Sequence, residues 1–484
     1  MLLHARELLA VRSPLDAELI VSEILGAWWG RRTDLDGGDV EEIIGEALMD
    51  HSARKGTPAA LALLAGVAYL GTSRQAALAE RSALQLIDAG VARPAWADRV
   101  GMVESAECYV SRDVYGDQES VICTYTYAGV ERHALVILID HNQGGLVRDA
   151  WVSSQVDRLL DHCRHEAATS PLMEFEELDP RLTRALLEPA LELTGELSDP
   201  PVSDSFSSYH AFVRARVRAL PPGGRRPAQP SFTGDRRATL AARFLASDEA
   251  EELSDRSAAG RCVDRIIEFG CVRDFGRPLR VSPIKCEIFL LDWLPRKVFL
   301  NPSGLEAMPH VLAAWVRWAA GRTGLPESGM RATLDAVWDA TTRFAEAYRD
   351  PSTFGLEREL VERLLPDGDL EALPRRAFAL PFLSGMHGDV NLGELDLTDA
   401  DDRMRLLSLE HPGASQEHLS DHLRLTARLW AGDPPELWET AQALLDLGRE
   451  RHEILHLLLE LFERSGNDRP ALRAALRALR LEDL

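Results

Sequence analysis

Two stretches near the C-terminus carry side chains that can do chemistry. "HLSDHLRLTARLW" sets His418 and His422 four apart, and "RHEILHLLLELFE" sets His452 and His456 four apart with Glu453 between them. On a helix, residues four apart project from one face. His418 and His422 continue through Leu425 and Leu429, while His452 and His456 continue through Leu459 and Phe462. Both pairs thus lie on apolar faces, and packing of those faces would gather four imidazoles. Neutral imidazole is the commonest zinc ligand and also suits iron, copper and nickel. Four nitrogens close a tetrahedral zinc shell; three leave a catalytic position open. The expected metal ligands are His418, His422, His452 and His456.

Two other readings fit the same residues. "HEILH" has the His-Glu-x-x-His form of a metalloprotease helix, in which Glu453 would activate water for a metal-dependent hydrolase. That design needs a third ligand downstream, and no histidine follows; Glu460, Glu463, Asp468, Glu482 and Asp483 are the acids that remain. In the other reading the histidines are ordinary side chains of a metal-free helical scaffold. His411 in "LEHPGASQEH" and His387 in "MHGDV" are either further ligands or loop residues. Asp421, Glu417 and Glu460 stand close enough in sequence to orient the rings.

The elements that must position these residues are mostly helices. Residues 1–106 read as a helical region. "DVEEIIGEALMDHSARKG" opens on Asp39 as a cap, and "TPAALALLAGVAYLG" has Thr57 as cap and Pro58 in the first turn. Residues 107–152 are rich in Val, Ile, Thr and Tyr and are broken by turn residues, which predicts a small antiparallel meander. Helices resume over 153–220 and should pack on the meander. "PPGGRRPAQPSFTG" (221–234) reads as a linker between domains. A central helical domain is expected over 235–365, with "EIFLLDWLPRKVFL" readable as helix or strand. Residues 366–413 read as an acidic, loop-rich connection around "TDADDR". A C-terminal helical domain (414–484) carries the histidines, with Asp433, Pro434 and Glu436 as the start of one of its helices. The fold class is therefore mainly α with one small antiparallel sheet in the N-terminal half.

A chain of 484 residues is long enough for about three domains. Its net charge of −23 opposes binding to nucleic acid and to anionic membranes, so a protein partner is the expectation. Arg214, Arg216, Arg218, Arg225, Arg226, Arg236 and Arg237 form its one basic run, either solvated flanks of the linker or a dock for an anionic partner. Six cysteines without a C-x-x-C pair predict free thiols and a cytoplasmic location. Asp113, Asp117, Asp140, His141, Asn142 and Asp149 cluster at strand ends, where turn chemistry alone accounts for them. No phosphate loop, nucleophile elbow or dinucleotide fingerprint occurs in the sequence.

Several stretches, among them "YGDQESVICTYTYAG", "HALVILIDHNQGGLVRDAWV", "RPLRVSPIKCEIFLLDWLPRKV" and "DPPELWETAQALLDLGRERHEILHLL", resemble a family of uncharacterised proteins from high-GC Gram-positive bacteria. The resemblance spans most of the chain and implies no established activity. The last stretch also resembles short bacterial domains with His-x-x-x-His pairs on helices. By that likeness His418, His422, His452 and His456 are the retained positions. Some members carry a Cys/His zinc knuckle that this sequence lacks. The reading that unites these observations is a cytoplasmic interaction or regulatory protein with a transition-metal site, zinc before others, in its C-terminal helical domain.

Overall fold

The computed structural model describes residues 4–30, 40–197, 199–226, 228, 230–298, 300–350, 352, 355–380, 386–387, 390–466 and 468–479. The fold is mainly α, with one five-stranded antiparallel sheet in the N-terminal half. The chain divides into two compact units. One comprises Met1–Phe289 and Ala307–Ala340; the other comprises Leu290–Glu306 and Thr341–Leu484.

The first unit opens with helices Pro14–Gly26, Val40–Lys55, Pro58–Leu70 and Ser73–Asp88. Their starts follow from capping chemistry. Ser13 and Thr57 accept backbone N–H groups ahead of a first-turn proline, and Thr72 with Gln75 completes a capping box. Asp39, expected as a cap, lies outside the described residues. Helix Pro58–Leu70 is apolar nearly all round because it is the centre of this layer, where Leu61, Leu64 and Val67 meet Val21 and Leu25. Gly66 allows the close crossing, since a methyl group there would overlap Val21.

The sheet is built from β1 (Val103–Asp113), β2 (Gln118–Tyr127), β3 (Val130–Asp140), β4 (Leu146–Ser153) and β5 (Met173–Leu178), in the order β4-β3-β2-β1-β5. The first four strands are the expected meander. The fifth lies in a stretch read as helical throughout. "MEFEEL" pairs with β1, and Arg112 bonds Glu174 and Glu176 at 2.9 and 2.7 Å. Three acids on an exposed edge strand hide its period-two pattern, and a cross-strand cation offsets their charge. Helices cover both faces. Phe206, Phe212, Val213 and Val217 pack on Val121, Tyr125, Leu135 and Ile137, and helix Val156–Thr169 packs Val156 and Leu160 on Ile122 and Val136.

Two buried polar knots hold this unit. Arg216, expected to be part of a solvent-facing or docking run of arginines, is fully buried. It pairs with buried Glu18 at 2.6 Å, bonds Tyr127 Oη, and donates through Nε to His133 Nε2 at 3.1 Å. Burial and the Arg216 charge hold the His133 pKa down to about 4, so the imidazole accepts as a neutral ring. In the second knot, Asp117 accepts from Asn142, Arg280 and Ser282, and Asp274 accepts from Arg277, Arg280 and Lys285. Asp113 and Asp140 accept backbone N–H groups within their own turns. These turn residues therefore act as fasteners and hydrogen-bond partners of the fold.

Within "EIFLLDWLPRKVFL" the residues up to Lys297 are helical, and Val298 is extended. Pro283–Ile288 leads through a wide π turn at Phe289–Trp293 into Leu294–Lys297. The wide turn precedes Pro295, whose missing N–H and bulky ring exclude an ordinary i→i−4 bond.

The second unit contains the C-terminal helices Ala400–Glu410, Gln416–Ala431, Pro435–Asp446, Arg451–Arg464 and Arg469–Ala478. Leu425, Leu429, Leu437, Ile454, Leu455, Leu458, Phe462 and Leu472 form a common core of the last four, and Leu406 of the first packs in a second cluster with Trp430. The Asp433 cap expected for the third of these helices is not formed. Pro434 takes the cap position and Pro435 the first turn, while Asp433 pairs with Arg428 and Arg469, and Glu436 with Arg473 and Arg477. Residues 366–413 also hold more helix than expected: Leu373–Ala379 and Ala400–Glu410 both lie there. No helix among the described residues is long and apolar enough to cross a membrane.

Candidate metal centre

Ser415 caps helix Gln416–Ala431 by accepting the His418 N–H at 3.2 Å, which fixes His418 in the first turn. His422 follows one turn later on the same face, ahead of Leu425 and Leu429 in the core. His456 projects from helix Arg451–Arg464 towards that face, since Leu455 and Leu459 beside it belong to the same core. The fourth ring comes from His411, which ends helix Ala400–Glu410. Its backbone N–H and its Nδ1 both meet the Leu407 carbonyl, at 3.0 and 3.1 Å. A carbonyl only accepts, so the Nδ1 proton of His411 is spent there and Nε2 is the nitrogen left to bind a metal.

Candidate ligand atoms of His411, His418, His422 and His456 all lie within 4.8 Å of one another. Ring centroids of the six pairs are 4.3–5.5 Å apart. His411 Nε2 and His456 Nε2 are 3.3 Å apart. Tetrahedral zinc with bonds of 2.0–2.1 Å places its ligand nitrogens about 3.3–3.4 Å from each other. The closest pair is already at that spacing, and the others need only small side-chain shifts.

His422 supplies the most telling detail. Its side chain is fully buried, yet neither ring nitrogen has a hydrogen-bond partner. Burial first, and then the neighbouring imidazoles, push its pKa down to about 3. His456 is lowered for the same two reasons. Both rings are thus held neutral, the form that binds metal. A buried polar group left unpaired costs about 1–3 kcal/mol. Ordinary core histidines avoid that cost with a partner, as His133 does.

The expected set is therefore regrouped. The structure brings together His418, His422 and His456, adds His411, and leaves His452 beside them. The His452 ring is 4.6 Å from that of His456, but it is outside the four-residue group and half exposed. His387 is exposed and also outside it. The sequence marks His411 as a candidate but not as a member, because the acidic run before it resembles a loop. The helix signal was present: Asp399 as cap, Asp401 and Asp402 in the first turn, and Pro412 after the end. The acids expected to orient the rings do not face them. Asp421 pairs with Arg424 and Glu460 with Arg464, along their own helices, and Glu417 is exposed. Glu410 is the nearby acid instead, paired with Arg451 and 3.7 Å from His452 Nδ1. Glu453 is exposed and outside the group.

Four close histidines at the junction of three helices can thus hold a metal ion. In comparisons with known proteins the chain matches no family model, no curated protein and no solved structure, so the functional reading rests on the chemistry of this cluster.

Proposed function

We propose that this chain is a cytoplasmic interaction or regulatory protein whose C-terminal helical unit binds one transition-metal ion, zinc before others, through His411, His418, His422 and His456. The observation that carries the reading is His422, buried with both ring nitrogens unpartnered amid three further imidazoles. Four neutral nitrogens form a closed shell of the structural type. The ion would tie together helices Ala400–Glu410, Gln416–Ala431 and Arg451–Arg464, so metal supply would set how firmly those surfaces are held for a protein partner. Six free cysteines, five of them buried, support a reducing compartment. The exposed position of Glu453 favours metal binding over water activation.

Metal analysis of the full chain, purified without chelators or a nickel column, tests the reading. It should find about one zinc per chain, and Glu453→Gln should keep it. A chain that remains metal-free after incubation with zinc would refute the proposal. Loss of a hydrolytic activity in Glu453→Gln with metal retained would instead restore the hydrolase.

A further inference from the structure

His452 is the one ring of the cluster that reaches solvent freely. Its side chain is 51% exposed, whereas His411 and His422 are buried. The ring nevertheless stays in contact with the site. It stacks on His411 at 4.9 Å and 29°, and lies 4.6 Å from His456. Glu410 stands behind it, with Oε1 3.7 Å from His452 Nδ1. The other oxygen of this carboxylate is buried without a hydrogen-bond partner, although Arg451 pairs with the first. The rim thus offers an imidazole and a carboxylate on one side of a buried four-nitrogen pocket.

We infer that His452, positioned by Glu410, is the uptake and release ligand of the centre, which makes the site an exchangeable one for a divalent transition-metal ion. The inference rests on the metal-binding reading above. A closed four-nitrogen shell releases its ion slowly when the first bond to break leaves three ligands in an apolar pocket. A fifth imidazole removes that step, because zinc can expand to five ligands in passing. One metal–nitrogen bond forms to His452 as another breaks to His456 or His411. Every ligand exchanged is a neutral imidazole, so no electron moves and the charge of the complex is unchanged. Loading follows the same steps in reverse. His452 therefore lowers the barrier in both directions and leaves the equilibrium almost untouched.

Stopped-flow transfer of zinc between the full-length protein and a chromogenic zinc chelator tests this. His452→Ala and His452→Gln should keep one ion per chain and a Kd within about threefold of the parent, while loading and release both slow by about tenfold or more. Glu410→Gln should slow both steps by a smaller factor. Unchanged rates in both His452 variants would overturn the inference. Loss of the ion from them would also overturn it, because His452 would then be a holding ligand. A parent protein that takes up no zinc would remove the metal-binding reading itself, and this appears before any variant is compared.

Discussion

Replacing His422 with leucine should stabilise the metal-free protein while abolishing its metal binding. The two unpartnered, buried ring nitrogens are the basis. Leaving such a group unpaired costs about 1–3 kcal/mol, and an apolar side chain of similar size avoids the cost. Leu425 and Leu429 continue the same face into the core, so the new side chain extends that apolar face and packs against the rings of His411, His418 and His456. Allowing for imperfect packing, the expected gain is about 1–2 kcal/mol. A gain of 1 kcal/mol raises Tm by about 2–4 °C in a protein unit of 150–250 residues. Melting in excess EDTA should show the variant above the parent. With zinc at about 100 times Kd the parent gains about 2.7 kcal/mol, the variant gains nothing, and the order reverses. If the variant in EDTA melts below the parent by the equivalent of more than about 1 kcal/mol, the His422 ring makes contacts the fold depends on, and the argument from its missing partners fails.

Other measurements bear on different parts of the structure. His411→Ala and His456→Ala should each lower zinc affinity by at least about tenfold with helicity preserved, read by competition titration and circular dichroism; unchanged affinity would remove that residue from the shell. The metal-free protein should lose stability as pH falls below about 6.5, the ordinary histidine value, because the unfolded chain then takes up a proton that His422, with its folded pKa of about 3, refuses. The loss should reach about 2 kcal/mol at pH 5, and His422→Leu should lack this component in urea titrations. Glu18→Gln should cost about 3–5 kcal/mol by stranding the buried Arg216 charge, measured by chemical denaturation; a cost under about 1 kcal/mol would mean that water reaches the pair. Thiol titration of the denatured, unreduced chain should find six free cysteines.

The parts legible in the sequence were those set by local rules. Helix Gln416–Ala431 has a serine cap and a glycine stop, and its apolar period already placed His418 and His422 on the inner face. The meander could be read from β-branched runs and turn residues. What stayed hidden depended on partners distant in the chain. The place of His411 in the cluster is set by tertiary packing, which no i,i+4 spacing records. The edge strand β5 passes as part of a helical region until Arg112 is seen across from its acids. Arg216 sits among other arginines in sequence, and only Glu18, 198 positions away, shows why it is buried. His452 has the spacing of the cluster and lies at its rim, 4.6 Å from the His456 ring and half exposed, and spacing alone does not separate rim from centre.

The span between Glu18 and Arg216 also constrains the order in which the first unit can mature on the ribosome. Helix Pro14–Gly26 emerges early, carrying a carboxylate and the Ser22 hydroxyl. Glu18 also accepts from the Gly101 N–H and the Tyr127 hydroxyl, but its cation, Arg216, and the partners of Ser22, the Ser208 carbonyl and the Phe212 N–H, are made last. At about 5–20 residues per second, some 200 residues take roughly 10–40 s to synthesise. During that interval the N-terminal helices can collapse on their apolar faces, but closing the layer would bury a carboxylate without its cation and a hydroxyl without its partners. The nascent chain must therefore keep this face hydrated, or shield it with a chaperone, until helix Phe206–Ala219 arrives.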